Sequence, residues 1–177
     1  VHWDVVSPGR GIVDFAAYDR LVSAVDAAGL KLVIVLGGTP SWARDRRATA
    51  SATAPPQSNA AFAAFAASVA RRYGGTVDHY QIWDEPNLES GWGGLPAQPV
   101  DYLALLAAVY PAIHAQDARA TVMLAALAPT VEQGGSNLSD WRFLQNLYEL
   151  GGAPYFDAAA GKPYGFDLPA EDRTIRE

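Results

Sequence analysis

The chain has 177 residues, a formal net charge of −6 at pH 7 and no cysteine, and half of its residues are hydrophobic. This length and composition are typical of one globular domain and exclude intrinsic disorder and a disulfide framework. Acidic and basic residues are interspersed, so no basic face predicts binding to duplex nucleic acid. No apolar run is long enough to predict a membrane span.

Short runs of β-branched and aromatic residues alternate along the chain with longer segments of helical spacing. We expect strands at 1–6, 31–36, 77–83, 120–127 and roughly 155–160. The order β-α-β-α-β-α-β-α-β predicts a parallel sheet with right-handed crossovers. A doubly wound open sheet and a (β/α)8 barrel both fit this order, although no Gly-x-Gly-x-x-Gly motif supports a nucleotide-binding open sheet.

Four apolar stripes predict the helices between these strands, and they begin at Phe15, Phe62, Tyr102 and Trp141. Pro111 falls inside the third stripe, where it is expected to kink or interrupt the helix. Loops 48–57 and 86–99 follow strands at their carboxyl ends. Because chemistry is placed at that edge in parallel α/β folds, these loops are expected to shape a substrate cleft.

The densest chemical signal is the end of the third predicted strand, where Trp83 is followed by Asp84, Glu85, Pro86 and Asn87. Cleavage of an acetal requires a proton donor at the leaving oxygen, and a carboxylic acid held in its neutral form can supply that proton. The alternative, on spacing alone, is a strand end capped by solvated acids.

This segment resembles the Trp-Asn-Glu-Pro signature at the end of the fourth strand in glycoside hydrolase clan A. Family thirty-nine is nearest in style, and family five is a relative. The resemblance implies a (β/α)8 TIM barrel and a retaining glycosidase in which Glu85 is the catalytic acid/base. Asp84 replaces the Asn that holds the sugar 2-hydroxyl, and an ionised Asp84 accepts but does not donate a hydrogen bond.

Two further segments resemble the same families. Thr39-Pro40-Ser41-Trp42 is similar to the Thr-Pro-x-Trp turn after the third strand, which implies that Trp42 flanks the cleft and stacks on a sugar. Packing under the 43–57 loop is the alternative for Trp42. The segment 155–165 is similar to a sixth strand ending in His-Pro-Tyr, so Tyr164 matches the Tyr and Lys162 replaces the His. For Lys162 we favour a solvent-facing Lys-Pro turn over a catalytic role.

The resemblance implies that residues 1–177 are a partial catalytic domain containing strands two to six, because a complete barrel has about 250 residues. Trp3 would lie on strand two and reach the cleft, and Asn87 would also contact substrate. The nucleophile, a Glu on the seventh strand, is expected after Glu177. Retaining chemistry places two carboxyls about 5–5.5 Å apart, and the surroundings of Glu132, Glu149 and Glu171 do not favour that role.

The sequence therefore predicts hydrolysis of an O-glycosidic bond in an oligo- or polysaccharide without a cofactor. No metal site is expected, since His2, His79 and His114 lack metal-ligand spacing. A non-catalytic carbohydrate-binding barrel is the alternative, motivated by Asp84 and Lys162. An unrelated barrel enzyme has weaker support. Expected partners are a carbohydrate and the missing part of the barrel, or further copies of the chain, in an extracellular or cell-surface location by analogy.

Overall fold

The computed structural model describes residues 1–162. Its helices are α1 (Trp3–Val6), α2 (Ala16–Ala27), α3 (Asn59–Tyr73), α4 (Pro99–His114) and α5 (Asp140–Glu149). Its strands are β1 (Val33–Leu36), β2 (His79–Asp84), β3 (Thr121–Leu127), β4 (Gln133–Gly134), β5 (Asn137–Leu138) and β6 (Ala158–Gly161). Single 3-10 turns lie at Ser41–Ala43, Ser90–Trp92 and Ala153–Tyr155.

The main sheet has the order β1-β2-β3-β6, and its pairs are parallel. Val35 pairs with Gln81, which in turn pairs with Met123. The four strands therefore lie in the sheet in the order in which they occur in the chain, and helices lie in the connections between them. This arrangement confirms the predicted α/β class with a parallel sheet.

One face of the sheet contributes to a continuous hydrophobic core. Its alternate residues are almost completely buried, and they are Ile34, Leu36, Tyr80, Ile82, Val122 and Leu124. On the opposite face of β1, Val33 and Val35 are 47% and 38% exposed. A doubly wound sheet is covered by helices on both faces, whereas the inner face of a barrel wall packs against other strands. The exposed valines therefore favour the barrel wall.

Helices α3 and α4 pack closely against each other and supply much of the core. Ser58 caps α3, because its Oγ accepts a hydrogen bond from the amide of Ala61 at 3.3 Å. The predicted interruption at Pro111 is wrong, since α4 continues through it to His114. Pro111 is exposed while Val109 and Ile113 are fully buried, so packing on the core side maintains the helix.

The strand predicted at 1–6 is also wrong. Only His2 forms a bridge, parallel to Gly37, and the chain then turns into α1. Trp3 and Val6, three residues apart, are 4% and 1% exposed, whereas Val5 is 52% exposed. A short apolar run does not distinguish strand from helix, and here the helical face buries the larger side chains.

The hairpin β4–β5 was not predicted, because its two-residue strands are too short to produce a period. It lies in the connection between β3 and α5, where it contacts the loop that follows β2. Within residues 1–162, no helix combines the length and the hydropathy that a bilayer crossing requires.

Replacing Leu105 by Ala tests the α4 packing. Leu105 is fully buried, so truncation should lower the free energy of unfolding by about 2–5 kcal/mol in a urea titration. Leu21→Ala is the matched control, because Leu21 lies on α2 and is 52% exposed. The control should change stability by no more than about 0.5 kcal/mol. Equal losses in the two variants would contradict this assignment of the core.

Candidate functional site

The candidate site lies at the carboxyl end of β2, where the backbone bends sharply. Trp83 and Glu85 have φ values of 72° and 48°, the left-handed region that residues other than glycine seldom adopt. The pairing of β2 with β3 runs from Ile82–Leu124 to Asp84–Ala126 without a pair at Trp83. Unfavourable backbone of this kind persists only where surrounding contacts hold it, and it is concentrated at functional sites.

Two buried side chains form hydrogen bonds with the backbone groups at this bend. The Tyr102 hydroxyl donates to the carbonyl of Ile82 at 2.7 Å and accepts from the amide of Ala125 at 2.8 Å. The Gln81 amide donates to the carbonyl of Trp83 at 2.8 Å. Tyr102 therefore connects β2 to β3 where the regular ladder is interrupted. Complete burial raises the pKa of its hydroxyl well above the usual value, so it stays protonated.

The bend also buries the Trp83 side chain. Its Nε1 donates to the carbonyl of Gly91 at 2.8 Å, and its ring packs edge-on against Phe62 and Trp92. A Cβ on Gly91 would lie 2.0 Å from the carbonyl oxygen of Glu85. Only glycine allows this approach, so the loop after β2 packs directly against the backbone that carries Glu85.

Lys162, the residue after β6, binds both carboxylates of the motif. Its Nζ donates to Asp84 Oδ2 at 2.9 Å and to Glu85 Oε1 at 2.7 Å. The Lys162 side chain is 16% exposed, compared with 51% for Asp84 and 31% for Glu85. The interpretation of Lys162 as a solvent-facing turn residue is therefore wrong. Partial burial lowers the pKa of Lys162, but the hydrogen bonds to Glu85 and Asp84 outweigh it and raise the pKa overall.

A cavity of about 270 Å³ opens in front of Glu85. Its lining residues are His2, Val35, Gly37, Gly38, Ala52, Thr53, Trp83, Asp84, Glu85, Ser90 and Gly91. Sequence reasoning missed His2, whose imidazole Nδ1 lies 3.7 Å from Asp4 Oδ1. His2 fell within the strand predicted at 1–6, and the isolated bridge that it forms with Gly37 has no periodicity that the sequence could show.

Two aromatic residues proposed for substrate contact lie in packed surroundings. Trp3 is 4% exposed and stacks on Phe65 at 5.6 Å. Trp42 meets Trp3 edge-on at 5.3 Å, and its Nε1 donates to the carbonyl of Ser7 at 3.0 Å. Arg10 covers the Trp42 ring at 5.1 Å. Neither tryptophan lines the cavity at Glu85, and the two side chains pack against each other instead.

Asn87 is fully buried, and its side chain joins three segments. Its Nδ2 donates to the carbonyls of Ala128 and Leu138 at 2.8 and 2.9 Å, and its Oδ1 accepts from the amide of Ala128 at 2.9 Å. The structure therefore places Asn87 as a residue that positions the loop after β2. Tyr164 and Glu171 lie outside the described residues.

The other acidic residues weighed as nucleophiles lie elsewhere. Glu132 accepts hydrogen bonds from Asn137, and Glu149 accepts one from Gln145. Neither lines the cavity at Glu85. Across residues 1–162, no group of three or more His, Cys, Asp or Glu residues has the arrangement of a metal site.

No family model and no curated protein matches the chain, but solved structures do. A family 39 glycoside hydrolase from Bacteroides cellulosilyticus WH2 superposes with a TM-score of 0.71 at 23% identity, covering 94% of this chain and 32% of that chain. A family 39 β-xylosidase from Caulobacter crescentus gives 0.68 at 22%, covering 93% and 38%. A xylanase from Paenibacillus barcinonensis gives 0.63 at 14%, covering 95% and 52%.

The chain shares its fold with a section of these glycoside hydrolase structures. It spans between 32% and 38% of the two family 39 enzymes, so it corresponds to a section of their barrels. This finding confirms the predicted (β/α)8 class and its incompleteness in these residues. At such identities the likeness concerns the fold, and function has to be argued from the site.

Tyr102→Phe tests the bend at Trp83. The substitution keeps the ring but leaves the Ile82 carbonyl and the Ala125 amide without their buried partner, which should cost about 1–3 kcal/mol of unfolding free energy. Tyr148→Phe is the control, because Tyr148 is 52% exposed. Urea titration followed by tryptophan fluorescence measures both. A Tyr102→Phe protein as stable as the control would show that the hydroxyl does not hold the bend.

Lys162→Met tests the ion pairs through the pH dependence of stability. The pKa of Lys162 is raised in the folded chain, so its contribution is fully present below the unfolded pKa of about 10.5 and is lost as pH rises through the folded value. The wild type should therefore exceed Lys162→Met in stability at pH 7, and the difference should shrink above about pH 10.5. Lys31→Met, at an exposed lysine, is the control. A pH-independent difference would contradict the ion pairs.

Proposed function

We propose that this chain supplies the acid/base half of a retaining glycoside hydrolase. The observation that carries the proposal is the position of Glu85, which follows the bent end of β2 and opens onto a cavity with Asp84 beside it. Catalytic residues of (β/α)8 enzymes lie at the carboxyl ends of strands. The names of the similar structures, glycoside hydrolases and xylosidases among them, support the same reaction class.

In the proposed reaction, protonated Glu85 gives its proton to the glycosidic oxygen as the bond to the anomeric carbon breaks. A carboxylate outside these 177 residues attacks the anomeric carbon and forms the glycosyl intermediate. Glu85, now ionised, then takes a proton from water while the water oxygen attacks the anomeric carbon, and the bond from that carbon to the carboxylate nucleophile breaks. Lys162 donates to Glu85 Oε1, so its ammonium lies beside the negative charge that forms when Glu85 gives up its proton.

Asp84 is proposed to contact the sugar beside the scissile bond. Its side chain is half exposed, and its Oδ2 shares the ammonium of Lys162. A carboxylate can accept a hydrogen bond from a sugar hydroxyl, which makes it a partner for a hydroxyl that is free to donate. Asp84 and Lys162 together should therefore determine how the sugar next to Glu85 is oriented.

Glu85→Gln in the polypeptide that also carries the nucleophile tests this role. The amide cannot transfer a proton, so kcat/KM for glycosides with poor leaving groups should fall by about 10²–10⁴-fold. A dinitrophenyl glycoside needs no protonation to leave, so formation of its glycosyl intermediate should be much less affected. Glu149→Gln, on the outer part of α5, is the matched control and should retain wild-type rates.

Two outcomes would overturn the assignment. Unchanged hydrolysis of poorly activated glycosides in Glu85→Gln would remove Glu85 from the mechanism. An equal loss for the dinitrophenyl glycoside would make Glu85 something other than the acid/base, because proton donation is dispensable there.

The alternative function is a non-catalytic carbohydrate-binding barrel. The specific observation in its favour is that one ammonium, from Lys162, engages both carboxylates of the motif. Saccharide binding by a complete polypeptide that turns over no glycoside would favour this alternative over hydrolysis.

The exposed valines of β1 indicate a surface against which further polypeptide would pack. We propose that Val33 and Val35 pack against further strands that complete the barrel interior, since their face is otherwise open to solvent. Association between copies of the chain is the alternative from the sequence. An extracellular or cell-surface location stays a prediction by analogy.

A further inference from the structure

Gln81 is a buried polar residue in an apolar part of the sheet. It lies on β2, and its partners in register are Val35 on β1 and Met123 on β3. Burying an amide costs free energy unless its polar atoms find hydrogen-bond partners. The partners of this amide therefore indicate why a polar residue occupies the position.

The amide nitrogen of Gln81 faces two acceptors at the bend. Nε2 donates to the carbonyl oxygen of Trp83 at 2.8 Å and lies 3.5 Å from Asp84 Oδ1, the outer limit of a hydrogen bond. A carbonyl and a carboxylate accept hydrogen bonds but donate none, so the nitrogen of the amide and not its oxygen must face them. One amide group therefore contacts both the backbone of the bend and the first carboxylate that follows it.

Asp84 has a donor near each of its carboxylate oxygens. Gln81 faces Oδ1, while Lys162 Nζ donates to Oδ2 at 2.9 Å. The same ammonium donates to Glu85 Oε1 at 2.7 Å. A connected series of polar groups therefore runs from Gln81 inside the sheet, through Asp84 and Lys162, to the carboxyl group of Glu85.

Gln81 does not line the cavity in front of Glu85, so it can affect a reaction there only through the groups that it contacts. One of these groups is the carbonyl of Trp83, whose φ is 72°. Left-handed backbone at a residue other than glycine persists only where surrounding contacts hold it. Glu85 follows two residues later, so its position depends on this bend.

We propose that Gln81 is a positioning residue for proton transfer by Glu85. Its amide fixes the Trp83 carbonyl and orients Asp84, which in turn holds Lys162 against Glu85. This inference rests on the proposed function and extends it, because it assigns a role in that reaction to a residue that does not line the cavity. Displacement of a reacting group by about 1 Å can lower a rate about 10²-fold, so loss of this amide should weaken general acid catalysis.

Gln81→Met and Gln81→Asn test this role in the polypeptide that also carries the nucleophile. Methionine keeps the length of the side chain and removes the donor, whereas asparagine keeps the amide but shortens the side chain by one methylene. The measurement is kcat/KM for phenyl and dinitrophenyl glycosides of xylose, glucose and mannose. Phenyl glycosides need a proton donor and dinitrophenyl glycosides do not, so the phenyl-to-dinitrophenyl ratio of kcat/KM reports proton transfer.

Both variants should lower this ratio by about tenfold or more. A purely structural role would leave the ratio unchanged, because a smaller folded fraction lowers both rates equally. Gln145→Met is the matched control and should also leave the ratio unchanged. Gln145 is exposed on α5, and its Nε2 donates to Glu149 at 2.8 Å.

An unchanged ratio in both Gln81 variants would overturn the positioning role. Glu85→Gln, measured on the same glycosides, separates this failure from failure of the proposed function. If Glu85→Gln lowers the ratio and the Gln81 variants do not, only the positioning role is wrong. If Glu85→Gln also leaves the ratio unchanged, or if the wild type hydrolyses none of these glycosides, the proposed function fails and the role of Gln81 fails with it.

Discussion

The arrangement of the candidate site depends on the left-handed backbone at Trp83. In a regular strand, successive side chains alternate between faces, and Trp83 would then face away from the core that buries Ile82. The bend places both side chains in the core and leaves Asp84 and Glu85 at the edge of the sheet. Its cost is offset by the hydroxyl of Tyr102, which replaces part of the ladder, and by the indole of Trp83 itself.

Ion pairs connect the ends of two strands at this edge of the sheet. Asp84 ends β2 and Glu85 follows it, whereas Lys162 follows β6, and β3 lies between these strands in the sheet. The lysine therefore reaches across a neighbouring strand to hold two adjacent like charges. The Lys162 ammonium therefore supplies a positive charge between two neighbouring acidic side chains beside the cavity.

The sequence predicted the elements whose hydrophobic residues recur with a regular spacing. Four of the five strands and the intervening helices follow from apolar periodicity, and the position of Glu85 at a strand end follows from the motif and its resemblance. The features that have no periodic hydrophobic pattern were missed. They are the β4–β5 hairpin, the bend at Trp83 and the turn into α1. Lys162 was misplaced because its partners, nearly eighty positions earlier in the chain, meet it only after the sheet has formed.

Two glycines connect the loop after β2 to the strand end on one side and to the loop after β1 on the other. Gly91 and Gly93 bring the loop after β2 against the Glu85 backbone on one side and against Ala54 on the other. The same loop thus packs against the backbone at Glu85 and forms a wall of the cavity in front of it. A change in the 43–57 or 86–99 segment that alters this contact would shift the position of Glu85 together with the shape of the cleft. Under the proposed function, these two glycines would couple substrate preference to the geometry of the acid/base, and a loop replacement would have to preserve both glycines.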